Sequence, residues 1–179
     1  MTSLQELLLS RIQDVPDYPK PGITFKDITP LLADAAAFTA LTEALAEICL
    51  AQGAQKVVGL EARGFILAAP VAVRAGVGFV PVRKAGKLPG ATLGQAYELE
   101  YGTAEIEIHA DALEQGDKVL VIDDVLATGG TAEASVELIR RAGGEVTGLA
   151  VLMELGFLNG RERLTPALAG APLDALVTV

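Results

Sequence analysis

At 179 residues the chain is long enough to bury one sizeable core and too short for a second large domain, so a single domain over 1–179 is expected. Hydrophobic residues make up 51% of it, with 19 glycines and 9 prolines, which excludes a disordered chain and fits a compact fold with sharp connections. Lys and Arg total 14 against 23 Asp and Glu, a formal net charge of -9, so the global field opposes attachment to nucleic acid or to an anionic membrane.

The N-terminal MTSLQELLLSRI has no basic leader, apolar core and small-residue cleavage site, so a cytoplasmic location is expected. Ser3 and Glu6 have capping-box spacing, and Leu4, Leu7, Leu8 and Ile12 form the stripe of a short helix. Pro16, Pro19 and Pro21 end it. PKPGITFKDITPLL, residues 19–32, then reads as an ordered connection, restricted by prolines and anchored by Ile23, Phe25 and Ile28. Asp27 has the character of an Asx-turn residue. Asp34 can cap a helix running to about Gln52, with Gly53 as its exit; Cys49, alone in the chain, belongs to the buried stripe of that helix.

Apolar runs at Lys56–Leu60, Gly78–Val82, Lys118–Asp124 and Glu145–Leu152 then alternate with helix-compatible segments at Phe65–Arg74 and Ala132–Ala142, which predicts an α/β sheet covered on both faces. The longest apolar stretches, such as Val119–Ile122 and Ala68–Val73, fall far short of the roughly 20 residues a bilayer requires. Gln95–Glu100 and Ala104–Ile108, joined at Tyr101-Gly102-Thr103, read as an antiparallel arm. Ile106 and Ile108 would be packed, and Glu105 and Glu107 would lie on a wet face. His109, with no Ser, Cys or metal-ligand cluster near it in sequence, reads as a structural or surface residue.

The strongest chemical signal is VLVIDDVLATGGT, Val119–Thr131. A buried strand is expected to end in Asp123 and Asp124, and the chain then turns through Ala127, Thr128, Gly129, Gly130 and Thr131 into a helix. Glycines let backbone approach an anion, hydroxyls donate hydrogen bonds, and the free N–H groups of a helix start suit a terminal phosphate, while paired carboxylates can accept from a sugar diol. Adjacent strand residues face opposite ways, so both aspartates reach one sugar only where the strand ends and turns. No GxxxxGK[ST] is present, and Pro81 breaks the GxGxxG begun by Gly76 and Gly78, so neither a Walker loop nor a dinucleotide fingerprint applies.

This segment resembles the signature with which type I phosphoribosyltransferases bind 5-phosphoribosyl 1-pyrophosphate. The likeness extends over roughly residues 3–166 and is closest to the adenine-specific branch, through PKPGITFKDITPLL, GLEARGF (59–65), RKAGKLPG (83–90), LEYG (99–102), DDVLATGGT and MELGFLNGRERL (153–164). The resemblance implies a mostly parallel central sheet with flanking helices, a flexible antiparallel arm, and a small N-terminal base-recognition hood over residues 1–33. The implied activity is the conversion of adenine and 5-phosphoribosyl 1-pyrophosphate to AMP and pyrophosphate in purine salvage, by a magnesium-dependent cytoplasmic homodimer.

The resemblance also implies site roles. Ala127–Thr131 would hold the 5'-phosphate and Asp123 and Asp124 the ribose hydroxyls. Glu61, Ala62 and Arg63 would meet the diphosphate, with Lys84 and Lys87 contributed by a mobile 83–90 segment; an arginine at a strand-end turn suits phosphate oxygens. Phe25 and Leu155 would sandwich the base, with backbone groups near Ile23, Thr24 and Lys26 reading its edge. Lys26 departs from the arginine familiar there. Glu100 would handle the adenine proton and Tyr101 would help close the arm. No Cys/His zinc spacing occurs, so no protein metal ligand is assigned and magnesium would be held mainly by substrate and water. Two other readings remain open at this level: a phosphoribosyltransferase for hypoxanthine or guanine, and a nucleotide-sensing protein without turnover.

Overall fold

The computed structural model describes residues 3–98 and 102–179. Backbone packing divides the chain into two compact units, the division falling between Ala44 and Leu45.

The N-terminal unit opens with α1 (Leu4–Leu9), capped as its sequence predicts: Ser3 Oγ accepts from Glu6 N–H at 3.2 Å and Glu6 accepts from Ser3 N–H at 2.8 Å. Strands β1 (Gln13–Val15) and β2 (Phe25–Asp27) pair antiparallel, and α2 (Thr29–Ala33) follows. Asp27 accepts from the N–H and the hydroxyl of Thr29, the expected Asx-type arrangement. Asp34 Oδ1 accepts from the N–H groups of Ala36 and Ala37, both at 3.0 Å, and so starts α3 (Ala35–Ala51). Asp34's carboxyl is held below the ordinary range first by the Ala37 amide and then by Arg11.

The larger unit is built on a seven-stranded sheet. Its elements in chain order are β3 (Lys56–Leu60), α4 (Arg63–Ala75), β4 (Gly78–Lys84), β5 (Thr92–Glu98), β6 (Thr103–His109), β7 (Lys118–Leu126), α5 (Gly130–Arg141), β8 (Glu145–Glu154), a 3-10 turn (Gly156–Leu158), α6 (Gly160–Leu168) and β9 (Leu173–Thr178). The strand order is β5-β6-β4-β3-β7-β8-β9. The run β4-β3-β7-β8-β9 is parallel, while β6 pairs antiparallel with β4 and with β5, forming the expected arm. Val57, Val58, Val119, Leu120, Val121 and Ile122 are all fully buried, as continuous apolar runs in a parallel sheet require. Cys49 is buried too. Among the described residues no helix is long and apolar enough to cross a membrane.

The chain leaves β3 toward β4 on one side and leaves β7 toward β8 and β9 on the other. Between β3 and β7 the direction of winding reverses, which opens a crevice at the carboxyl ends of those two strands.

Two expectations need correction. Glu107 does not lie on a wet face: it is 6% exposed, because the segment after β4 folds over it and donates hydrogen bonds to its carboxylate. Alternation along β6 assigns the face correctly but says nothing about what covers it. The aspartates also do not end their strand, since β7 continues to Leu126. Pairing with β3 stops at Ile122, whereas pairing with β8 persists to Leu126, so the Asp-Asp step faces the crevice on one side while still held on the other.

Candidate active site

A cleft of about 360 Å³ occupies this crevice, lined by Glu61, Ala62, Arg63, Asp123, Asp124 and the 125–132 segment, with Leu149 and Val151 behind it. Three pieces of the expected site, drawn from two stretches of chain remote in sequence, thus meet in one cleft, which Lys84 and Lys87 do not line.

The first piece is the turn after β3, whose Glu61–Ala62 peptide bond is cis. Arg63 begins α4, and its Nε donates to Asp124 Oδ2. Gly64 makes this approach possible: a Cβ there would lie 2.9 Å from Asp123 Oδ1 and 3.1 Å from the Ile122 carbonyl oxygen. The Glu61 carboxylate points away from an anion-binding role, since it accepts from Arg83 Nη2 at 3.1 Å and from Lys84 N–H at 2.9 Å. Those donors, Arg83 first, hold its carboxyl below the ordinary range against the opposing effect of burial.

The second piece is the aspartate pair. Asp123 Oδ1 accepts from Asp124 N–H at 2.8 Å. Desolvation, and then the adjacent Asp124 charge, push the Asp123 carboxyl well above the usual carboxylate range. A sugar diol donating to these oxygens would replace lost hydration with hydrogen bonds.

The third piece is the loop into α5. Gly129 has φ +84°, open to glycine at little cost, and no side chain caps the first turn of α5, so its amides remain available to an anion. Thr128 is exposed, and the Thr131 hydroxyl lies 3.3 Å from Tyr97 Oη on the arm.

Residues behind this loop belong to the MELGFLNGRERL segment, to which the resemblance attaches no site role but that of Leu155. A Cβ on Gly160 would lie 2.2 Å from the Ala127 carbonyl oxygen, so the start of α6 packs directly against the loop. That helix start is pinned by Arg161, which donates to both oxygens of the buried Glu154 and to the Leu173 carbonyl. Arg163 Nε donates to Glu133 Oε2 at 2.8 Å while its guanidinium lies against Gly130. The NGRER string holds these residues in plain view, but their contacts with residues 127–133 are set by tertiary packing.

Lys84 and Lys87 are exposed. Lys84 lines a second cleft of about 560 Å³ with Glu61, Tyr97 and Thr131, between the arm and the strand ends. In the N-terminal unit, Phe25 meets Tyr18 edge-on at 5.3 Å, and Lys26 Nζ pairs with Asp14 at 2.7 Å. Ile23 already uses both backbone groups in its local turn, with Lys20 and Tyr18. In the larger unit, Leu155 is half-buried at the entry to the 3-10 turn. Glu100 and Tyr101 lie outside the described residues.

A family model for the phosphoribosyl transferase domain matches residues 28–166. The adenine phosphoribosyltransferase of Streptomyces coelicolor is 78% identical over 178 residues, covering 99% of this chain and 98% of that protein. The chain belongs to the adenine phosphoribosyltransferase family. Its fold is that of the family's solved members. The crystal structure of the Rhodothermus marinus adenine phosphoribosyltransferase superimposes with a TM-score of 0.91 at 52% identity, covering 98% of both chains. That of the Saccharomyces cerevisiae adenine phosphoribosyltransferase, complexed with an imino-altritol bisphosphate and adenine, gives 0.90 at 37% identity over 98% of this chain and 99% of the other. Family membership assigns the chain to the type I phosphoribosyltransferases, as DDVLATGGT implies.

Proposed function

We propose that the crevice between β3 and β7 is where this enzyme joins adenine to 5-phosphoribosyl 1-pyrophosphate, releasing AMP and pyrophosphate. The observation that carries the assignment is the convergence of Arg63, Asp123, Asp124 and Ala127–Thr131 on one cleft, an arrangement that meets both ends of a ribose bearing phosphate and diphosphate.

In this reading the backbone of 127–131 and the first turn of α5 bind the 5'-phosphate, and Asp123 and Asp124 accept from the ribose hydroxyls. Arg63 and the Glu61-Ala62 backbone receive the diphosphate, with Lys84 and Lys87 closing on it. Displacement at C1 by an adenine ring nitrogen passes through an oxocarbenium-like state, so catalysis consists of alignment, stabilisation of the leaving diphosphate and removal of the adenine proton. Glu100 takes that proton in synthesis and returns it in reverse, and Tyr101 aids closure of the arm. Phe25 and Leu155 contact the base, and backbone groups near Ile23, Thr24 and Lys26 read its polar edge.

The donor set fits magnesium brought in with the substrate. Among the described residues no group of three or more His, Cys, Asp or Glu forms a cage, yet the cleft is lined by hard carboxylate oxygens. Asp123 and Asp124 would face the ion's water shell. When bound, magnesium neutralises charge on the diphosphate as it leaves. We further propose that 1–179 acts as one phosphoribosyltransferase domain with 1–33 as its base-recognition hood, and that it works as a cytoplasmic homodimer without nucleic-acid or membrane partners.

A product-resolved assay with adenine, hypoxanthine and guanine tests the reading. AMP should dominate. Preferential IMP or GMP would overturn the base assignment, and tight nucleotide binding without turnover would overturn catalysis.

A further inference from the structure

We propose that Glu107 is a positioning residue for the reaction, a buried carboxylate that fixes the backbone of the 83–90 segment so that Lys84 and Lys87 are presented to the diphosphate. The proposal rests on the reading that those lysines meet the diphosphate.

The geometry is specific. Glu107 Oε1 accepts from Lys87 N–H at 2.9 Å and from Leu88 N–H at 2.8 Å, and Oε2 accepts from the Thr92 hydroxyl at 3.2 Å. The segment's other end is held by a second carboxylate, Glu61, through Lys84 N–H and Arg83. Arg83 Nη1 also donates to the Lys87 carbonyl at 3.2 Å, and Lys87 N–H lies 3.3 Å from the Lys84 carbonyl, closing the turn between the two lysines. A carboxylate 6% exposed is costly unless charge-assisted hydrogen bonds replace its water, and here the replacing donors include two consecutive amides of the lysine segment. Those amides, Leu88 first, hold its carboxyl below the ordinary range despite the burial, so it stays ionised at neutral pH.

The consequence is division of labour within one short segment. Its backbone is spent on the protein's own anion, and its two lysine side chains are left exposed for a foreign one. Ordering the segment beforehand lowers the entropy lost when a diphosphate is captured. Glu107 touches neither lysine ammonium group in any observed bond, so it acts through position.

Steady-state kinetics of Glu107→Gln, of Lys84→Ala/Lys87→Ala, and of the combination test this. Glu107→Gln should raise KM for 5-phosphoribosyl 1-pyrophosphate about tenfold while leaving KM for adenine unchanged, and should add little to the lysine variant. A full additional loss in the lysine background would overturn the role of Glu107 alone. If the lysine variant keeps the wild-type dependence on 5-phosphoribosyl 1-pyrophosphate, the lysine reading falls and this proposal with it. Amide hydrogen exchange on the wild-type enzyme keeps the test open should Glu107→Gln not fold: Lys87 and Leu88 should be protected, and exchange at the rate of an unstructured chain would overturn the proposal.

Discussion

Arg63 and Asp124 form a hydrogen-bonded ion pair that ties the turn after β3 to the aspartate step of β7. The two residues are 61 positions apart, and in the proposed mechanism they serve neighbouring parts of the substrate, the diphosphate and the ribose hydroxyls. Asp124 is nearly buried and Arg63 is partly exposed, so the arginine can reach a second partner while the carboxylate remains fixed. Arg63→Lys keeps the charge but loses the fork of donors needed to bridge a carboxylate and a diphosphate. Initial-rate kinetics should show kcat/KM for 5-phosphoribosyl 1-pyrophosphate falling about tenfold to a hundredfold, with KM for adenine unchanged. Equal losses for both substrates would contradict this division of roles.

The aspartate step predicts an opposition between stability and function. Asp123's carboxyl lies well above its ordinary value of 3.8, so the folded state holds that proton more tightly than the unfolded chain does. Its contribution to stability is complete below 3.8 and is lost as pH rises through the folded-state value. Asp123→Asn removes the charge while its carbonyl oxygen still accepts from Asp124 N–H. Thermal unfolding should give a higher Tm for the variant at neutral pH, with the difference vanishing toward about pH 4, alongside weaker binding of 5-phosphoribosyl 1-pyrophosphate. A lower Tm at neutral pH would contradict the prediction.

The contact behind the phosphate loop is equally testable. With a Cβ at position 160 placed 2.2 Å from the Ala127 carbonyl oxygen, either α6 or the loop must shift. Gly160→Ala should cost about 1–3 kcal/mol in denaturant unfolding and weaken AMP binding. Wild-type stability and affinity together would show that the loop does not depend on α6.

How far the sequence could be read follows from the range of each interaction. Asp123–Thr131 is one contiguous segment whose residue types state their chemistry locally, and the parallel strands announce themselves as apolar runs. The covering of Glu107 by residues 86–88 depends on how the chain returns across β6, so alternation gives its face but not its burial. Gly160 meets Ala127 across 33 positions, and Gly64 meets Asp123 across 59, with no local pattern marking either contact. Strand β9 has no such local signal, since LDALVT becomes a strand only by joining β8 at the sheet edge.

Glu100 is expected to act on the adenine proton. Glu100→Gln should lower kcat about a hundredfold to ten-thousandfold while calorimetric affinity for 5-phosphoribosyl 1-pyrophosphate stays near wild type. Unchanged turnover would remove Glu100 from the mechanism.

Magnesium is expected to travel with the diphosphate, whose oxygens are hard ligands suited to it. Chelation should abolish turnover and weaken pyrophosphate binding strongly, while AMP binding, which uses the 127–131 loop, should change little. Equal weakening of both ligands would point to a metal site built from protein groups.

The most direct test of the whole account is a crystal structure of the enzyme with magnesium, AMP and pyrophosphate. The account predicts the 5'-phosphate on the amides of Ala127–Thr131, the ribose hydroxyls on Asp123 and Asp124, and pyrophosphate against Arg63 with Lys84 and Lys87 turned toward it. A ribose phosphate bound away from Asp123–Thr131 would contradict it.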